Sequence, residues 1–167
     1  MSEMPSPGPR LTAIPRANKV IRELAFRGSI TKLERRGRCA IPTRILIVDD
    51  IESIRQGVRR ILESENDWEV CGEAANGQEA LRLTKELKPD AIVMDITMPV
   101  MSGLEATSEI TREDPDSKVL IFTMHDPRGL FTSIQRSGAK GALNKAKAAS
   151  DLTPALEAIL AGQTYFH

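Results

Sequence analysis

Arg44-Ile45-Leu46-Ile47-Val48-Asp49-Asp50 decides the fold. Four consecutive aliphatic residues, three of them β-branched, show no alternation with polar ones, as in a strand covered on both faces of a parallel sheet. The run stops abruptly at two acids. Residues 53–63 then place Ile54, Val58, Ile61 and Leu62 on one helical face. A buried strand followed at once by an amphipathic helix is one βα unit.

Four more units can be read downstream. A strand at 69–74 precedes a helix at 77–87, whose Ala80, Leu81, Thr84 and Leu87 face inward. After the Lys88-Pro89-Asp90 turn come a strand at 91–95, a helix at 104–112 and the stop Asp114-Pro115-Asp116. A strand at 118–123 leads to a helix at 128–137, closed by Gly138. The last pair is a short strand at 141–144 and a helix at 151–161 with Leu152, Leu156, Ile159 and Leu160 as its stripe and Gly162 as C-cap. The reading is an α/β, doubly wound (βα)5 domain over residues 44–166 with a five-stranded parallel sheet.

Upstream, the character changes. Residues 1–43 carry nine Lys/Arg against three Glu, a net +6, and prolines at 5, 7, 9 and 15 oppose regular structure. Only residues 16–26 have helical potential, through Val20, Ile21, Leu24 and Phe26. This segment reads as a basic, largely disordered extension. The remainder holds 14 Lys/Arg and 20 Asp/Glu, so the formal charge of zero over 167 residues is a cancellation.

The longest apolar runs are far below the roughly 20 residues of a membrane span, and the proline-rich start has no apolar core of a secretory signal. The expected location is the cytoplasm. Cys39 and Cys71 lack metal or redox spacing, which argues against a disulfide framework.

In an open parallel sheet, ligands bind beyond the carboxyl ends of the strands. Those ends here are Asp49 and Asp50, Asp95, Thr123 and Lys145. A phosphate-cradling loop after the first strand would need Gly, Ser or Thr, whereas Asp49-Asp50-Ile51-Glu52 repels free phosphate and suits a hard cation. Mg²⁺ takes oxygen ligands and commonly uses one or two carboxylates. Without a cation, two carboxylates about 4 Å apart repel by about 4 kcal/mol at an effective dielectric near 20. Lys145 and a metal would offset that repulsion.

Ile45-Leu-Ile-Val-Asp-Asp50, Met94-Asp-Ile-Thr-Met-Pro-Val-Met-Ser-Gly103, Ile121-Phe-Thr123 and Gly138-Ala-Lys-Gly-Ala-Leu-Asn-Lys145 together resemble the receiver domain of two-component response regulators. Ala155-Leu-Glu-Ala-Ile-Leu-Ala-Gly162, with Tyr165 and Phe166, resembles the last helix of the subclass usually fused to a LuxR-type helix-turn-helix. No such continuation follows here, so a stand-alone receiver is expected. The resemblance implies a flavodoxin-like sheet of order 2-1-3-4-5. It also implies Asp95 as phosphoacceptor, with Asp49, Asp50, Asp95 and the Thr97 backbone carbonyl around Mg²⁺, and Thr123 and Lys145 contacting the phosphoryl group. The implied partners are a sensor histidine kinase or phosphotransfer protein and a downstream effector, with homodimerisation possible and no membrane. On this reading the protein is expected not to be an enzyme but a signalling phosphoacceptor with self-catalysed phosphoryl transfer and autodephosphorylation.

Two departures stand out. Receivers usually carry an aromatic residue three positions before the lysine, and here Ala142 stands there; Ala146 replaces the common proline after Lys145. An aspartyl-nucleophile phosphatase of the haloacid-dehalogenase type is disfavoured, because it needs an acid where Thr97 stands. The other alternative is a non-enzymatic docking module whose basic arm contacts nucleic acid or an acidic partner. That arm has one aromatic, Phe26, so nucleic acid is not the expected partner. His125 and His167 are expected to be solvated, and Ser102, Thr107 and Ser108 to be helix-start or surface residues.

Overall fold

Strand β1 (Thr43–Val48) is followed by α1 (Glu52–Glu63), β2 (Trp68–Ala74), α2 (Gly77–Leu87), β3 (Ala91–Met94) and α3 (Gly103–Glu113). Then come β4 (Val119–Thr123), α4 (Pro127–Arg136), β5 (Gly141–Asn144), a 3₁₀ turn (Lys145–Lys147), α5 (Ala148–Leu160) and β6 (Tyr165–Phe166). This is a computed structural model, and it describes residues 41–166. The helix expected at 16–26, most of the basic arm, Cys39 and His167 lie outside the described residues.

All strand pairs are parallel, in the order β2-β1-β3-β4-β5-β6. The five-strand order 2-1-3-4-5 is the flavodoxin-like one. Because strand side chains alternate between faces, β1 feeds two cores. Ile45 and Ile47 join Val58 and Leu62 of α1 and Leu152, Leu156 and Ile159 of α5. Leu46 and Val48 join Ala80 of α2, Ala106 and Ile110 of α3 and Ile134 of α4. Each fully buried aliphatic contributes about 2 kcal/mol of transfer free energy, and the double cover explains the unbroken hydrophobic runs.

Element limits agree with the sequence reading to within one residue, apart from the last helix. α5 starts three residues earlier, at Ala148, and takes Pro154 into its body. The helix runs straight on from the 3₁₀ turn that leaves β5, and its own N-cap residue, Lys147, makes no side-chain cap that a sequence could announce. The sixth strand is the other addition. Two residues carry no periodic signal, and β6 exists because Gly141 lets it approach: a Cβ there would lie 2.5 Å from the Tyr165 carbonyl oxygen. Phe166 then meets Phe131 of α4 edge to face, with centroids 5.3 Å apart.

Thr107 corrects an expectation. It is fully buried, not at the surface, and its hydroxyl donates to the Gly103 carbonyl at 2.6 Å. A side chain that satisfies its own hydroxyl within the helix can be buried at little cost. Cys71 is the free cysteine among the described residues, half-buried on β2, and burial pushes its thiol up.

Candidate functional site

The ladder hydrogen bonds carry the two key acids past their strands. Asp49 N–H donates to the Ala74 carbonyl (3.1 Å) and Asp95 N–H to the Val48 carbonyl (2.8 Å). Backbone pairing therefore anchors both Asp49 and Asp95 at the carboxyl edge, and both are buried. Lys145, first residue of the 3₁₀ turn after β5, reaches them with Nζ 2.6 Å from Asp49 Oδ2 and 3.1 Å from Asp95 Oδ1. Its ammonium also lies 5.8 Å from the centre of the Phe122 ring, a cation–π distance.

The charges do not balance. Asp49, Asp50 and Asp95 offer carboxylate oxygens that all lie within 4.8 Å of one another, against one lysine. Asp49 Oδ1 is used, accepting from the Ile51 N–H at 2.9 Å. Asp49 Oδ2 is buried with no hydrogen bond: it is close to the Lys145 ammonium, but as an ion pair without hydrogen-bond alignment. One ammonium cannot offset three carboxylates this close together, and their mutual repulsion is the cost of the site without a cation. A hard cation among these oxygens fits the donor set, which is all oxygen and partly open through the exposed Asp50. Burial pushes the Asp95 carboxyl up from its ordinary range; Lys145 opposes the rise and the Asp49 charge adds to it.

Thr123 closes β4 at the same edge, buried, with its Oγ1 accepting from the His125 N–H at 3.1 Å. Among the described residues no hydrogen bond joins Thr123 to Asp95 or Lys145. Thr97 is exposed, two residues beyond Asp95 in the loop to α3. Thus Asp49 and Asp95 are both in contact with Lys145, Asp50 stands within the acidic cluster, Thr123 ends β4 and Thr97 lies in the β3–α3 loop.

The loop from β3 to α3 is tightly built. Gly103 N–H donates to the Ile96 carbonyl at 2.9 Å, and Ser102 and Glu105 form a reciprocal capping box. A Cβ on Gly103 would lie 1.7 Å from the Asp95 carbonyl oxygen, so this position requires glycine. Val100, exposed in the same loop, holds φ at 70°, a strained value for a β-branched residue.

Arg55 was not visible in the sequence as a site residue. Its NH1 donates to the Asp49 carbonyl at 2.8 Å, while its Nε pairs with Glu73 Oε2 at 2.9 Å. Arg59 donates to Glu73 Oε1 at 2.6 Å. One helix thereby clamps the ends of both β1 and β2. The contact that ties Arg55 to the site goes to a main-chain carbonyl, which every residue has, so no residue type betrays it in a sequence.

The sheet order, the acidic edge and the lysine define a receiver. Residues 45–157 match the response regulator receiver domain, and the chain belongs to that family. It is 38% identical over 123 residues to the transcriptional regulatory protein DegU of Brevibacillus brevis, covering 74% of this chain and 52% of that protein. It is 37% identical over 122 residues to the response regulator GacA of Pseudomonas viridiflava, covering 73% and 57%. The chain thus spans about half the length of the curated relatives it matches. A crystal structure of a LuxR-family two-component response regulator from Aurantimonas sp. SI85-9A1 superimposes with a TM-score of 0.71 at 40% identity, covering 74% of this chain and 89% of that one. The response regulator domain of Thermotoga maritima CheB gives 0.63 at 31% identity, covering 70% and 92%. Among the described residues no helix is long and apolar enough to cross a membrane.

Proposed function

We propose that this protein is a phosphoacceptor switch in a two-component phosphorelay, with Asp95 as the nucleophile. The observation that carries the reading is the contact of a buried Asp95 with Lys145 inside a cluster of three carboxylates that has a single ammonium against it. An Asp95 carboxylate oxygen attacks the phosphorus of a phosphohistidine on a partner kinase or phosphotransfer protein. The O–P bond forms, the N–P bond breaks, and the imidazole leaves and takes up a proton.

Asp49, Asp50 and Asp95, with the Thr97 carbonyl, would hold Mg²⁺. Bound there, the ion supplies neutralisation of the charge on the phosphoryl oxygens. The chain's own part is positioning, which dominates in a loose phosphoryl-transfer transition state. Lys145 stands beside the attacking carboxylate and can follow the charge onto the phosphoryl oxygens. Thr123 offers a hydroxyl that can leave the His125 N–H and bond the acyl phosphate. Such a change draws the β4–α4 loop inward and alters the surface seen by an effector or a second copy.

The test is direct. Incubation with Mg²⁺ and acetyl phosphate should add one phosphoryl group, about 80 Da by intact mass. Absence of that adduct in the wild type, or its persistence in Asp95→Asn, sinks the assignment.

A further inference from the structure

Asn144 ends β5 one residue before Lys145, and its side-chain amide works in two directions. Its Nδ2 donates to the carbonyl oxygens of His125 (3.1 Å) and Met124 (3.4 Å), in the loop that follows Thr123. Its Oδ1 accepts from the Ala146 N–H at 2.8 Å and so caps the 3₁₀ turn that begins with Lys145. The tethered loop is the one whose His125 N–H donates to Thr123 Oγ1. In the parallel ladder, Thr123 and Asn144 are register partners. One planar amide therefore joins the segment that positions Thr123 to the turn that positions Lys145.

No other side chain of β5 can do this. Gly141, Ala142 and Leu143 have no polar side-chain atom. Ala142 is fully buried and ends at its Cβ, so it has nothing that could move toward the β4–α4 loop. The aromatic pair on this flank, Phe131 and Phe166, belongs to α4 and β6. Among the described residues no direct hydrogen bond links Thr123 with Lys145.

Resting on the phosphoacceptor reading, we infer that Asn144 is a positioning residue that couples Thr123 to Lys145. It holds the Met124–His125 main chain at the distance from which the Thr123 hydroxyl reaches a phosphoryl group on Asp95 while Lys145 stays in place. When Thr123 turns to the acyl phosphate, its loop and the lysine turn move as one body. Loss of the donated bonds lets the loop drift, and water reaches the acyl phosphate sooner.

Asn144→Asp separates the two halves of the amide: it keeps an oxygen for the Ala146 N–H and loses both donated bonds. Asn144→Ser is the companion variant, too short to reach the loop and free of added charge beside Lys145. The full chain is phosphorylated with acetyl phosphate and Mg²⁺, the donor is removed, and the surviving adduct is followed by intact mass. Each variant is compared in the Thr123 and the Thr123→Ala backgrounds.

Loss of the acyl phosphate should quicken about five-fold in either variant when Thr123 is present, and by less than about two-fold in Thr123→Ala, because coupled residues are non-additive. A purely structural role would give equal changes in both backgrounds. That equality, or an unchanged lifetime with Thr123 present, overturns the coupling. Failure of the wild type to take up a phosphoryl group is a different result: it removes the phosphoacceptor reading, and the coupling with it. Amide hydrogen exchange over residues 124–129 of the unphosphorylated chain should be faster in both variants; protection equal to wild type also overturns the tether.

Discussion

Lys145 Nζ lies 3.1 Å from Asp95 Oδ1 while standing 2.6 Å from Asp49 Oδ2, so one buried ammonium serves two acids from different strands. The lysine is shared between the carboxylate that would react and the one that would hold the ion. Its removal should thus be felt first in folding and then in chemistry.

Lys145→Met should destabilise the metal-free protein by about 3 kcal/mol, since deleting one member of a buried ion pair leaves the other charges uncompensated. Addition of Mg²⁺ should narrow the gap to wild type. Thermal denaturation with EDTA and with Mg²⁺ checks both statements; a gap unchanged by Mg²⁺ would argue against a cation among the three acids.

Asp95→Asn should have the opposite effect on the metal-free protein. Burial disfavours the Asp95 carboxylate, and a neutral amide of the same shape removes that cost. The variant should melt a few degrees higher than wild type in EDTA, about 1 kcal/mol for a domain of this size. It should also gain less from Mg²⁺, which stabilises wild type by about 2.7 kcal/mol at a hundredfold excess over its dissociation constant.

Gly103→Ala should cost about 3 kcal/mol or more, because its Cβ, whose place the backbone fixes, would fall 1.7 Å from the main-chain carbonyl oxygen of Asp95. Phosphoryl uptake should fall even under conditions where the variant stays folded. Uptake equal to wild type in a folded variant would show that the loop adjusts without moving Asp95.

The Arg55–Glu73–Arg59 clamp makes stability depend on pH. Burial raises the Glu73 carboxyl, but the hydrogen bonds and charges of Arg59 and Arg55 outweigh it and hold the group below its usual value of 4.5. A depressed carboxyl stabilises above the unfolded-state value, and the contribution is lost as pH falls through the folded one. Glu73→Gln should therefore cost about 1 kcal/mol at pH 7. The difference from wild type should shrink below about pH 4.5, as urea denaturation at several pH values would show.

Much of this molecule can be read from residue order. Ile45 to Val48, the aliphatic run at 91–94 and Val119 to Phe122 announce strands covered on both faces, and the acids, the threonine and the lysine directly after them mark one edge. Ser102 begins a helix as a side-chain cap does. These signals are local: hydrophobic period, turn chemistry and position relative to a strand end all lie within a few residues of one another.

What needed the folded chain is what depends on distance through space. Nothing in sequence joins Arg55 to the Asp49 carbonyl, or Asn144 to Met124 and His125, because a main-chain acceptor is identical at every position. The strand Tyr165–Phe166 exists only where Gly141 admits its backbone. Thr107 is inside because α3 turns it there. By itself the sequence determined five of the strands, the five helices to within a turn and which side chains share the carboxyl edge of the sheet, since those follow from local pattern. Tertiary structure alone decided that Lys145 is divided between Asp49 and Asp95 and that one oxygen of Asp49 is left without a hydrogen bond, since these follow from ångström distances between residues far apart in the chain.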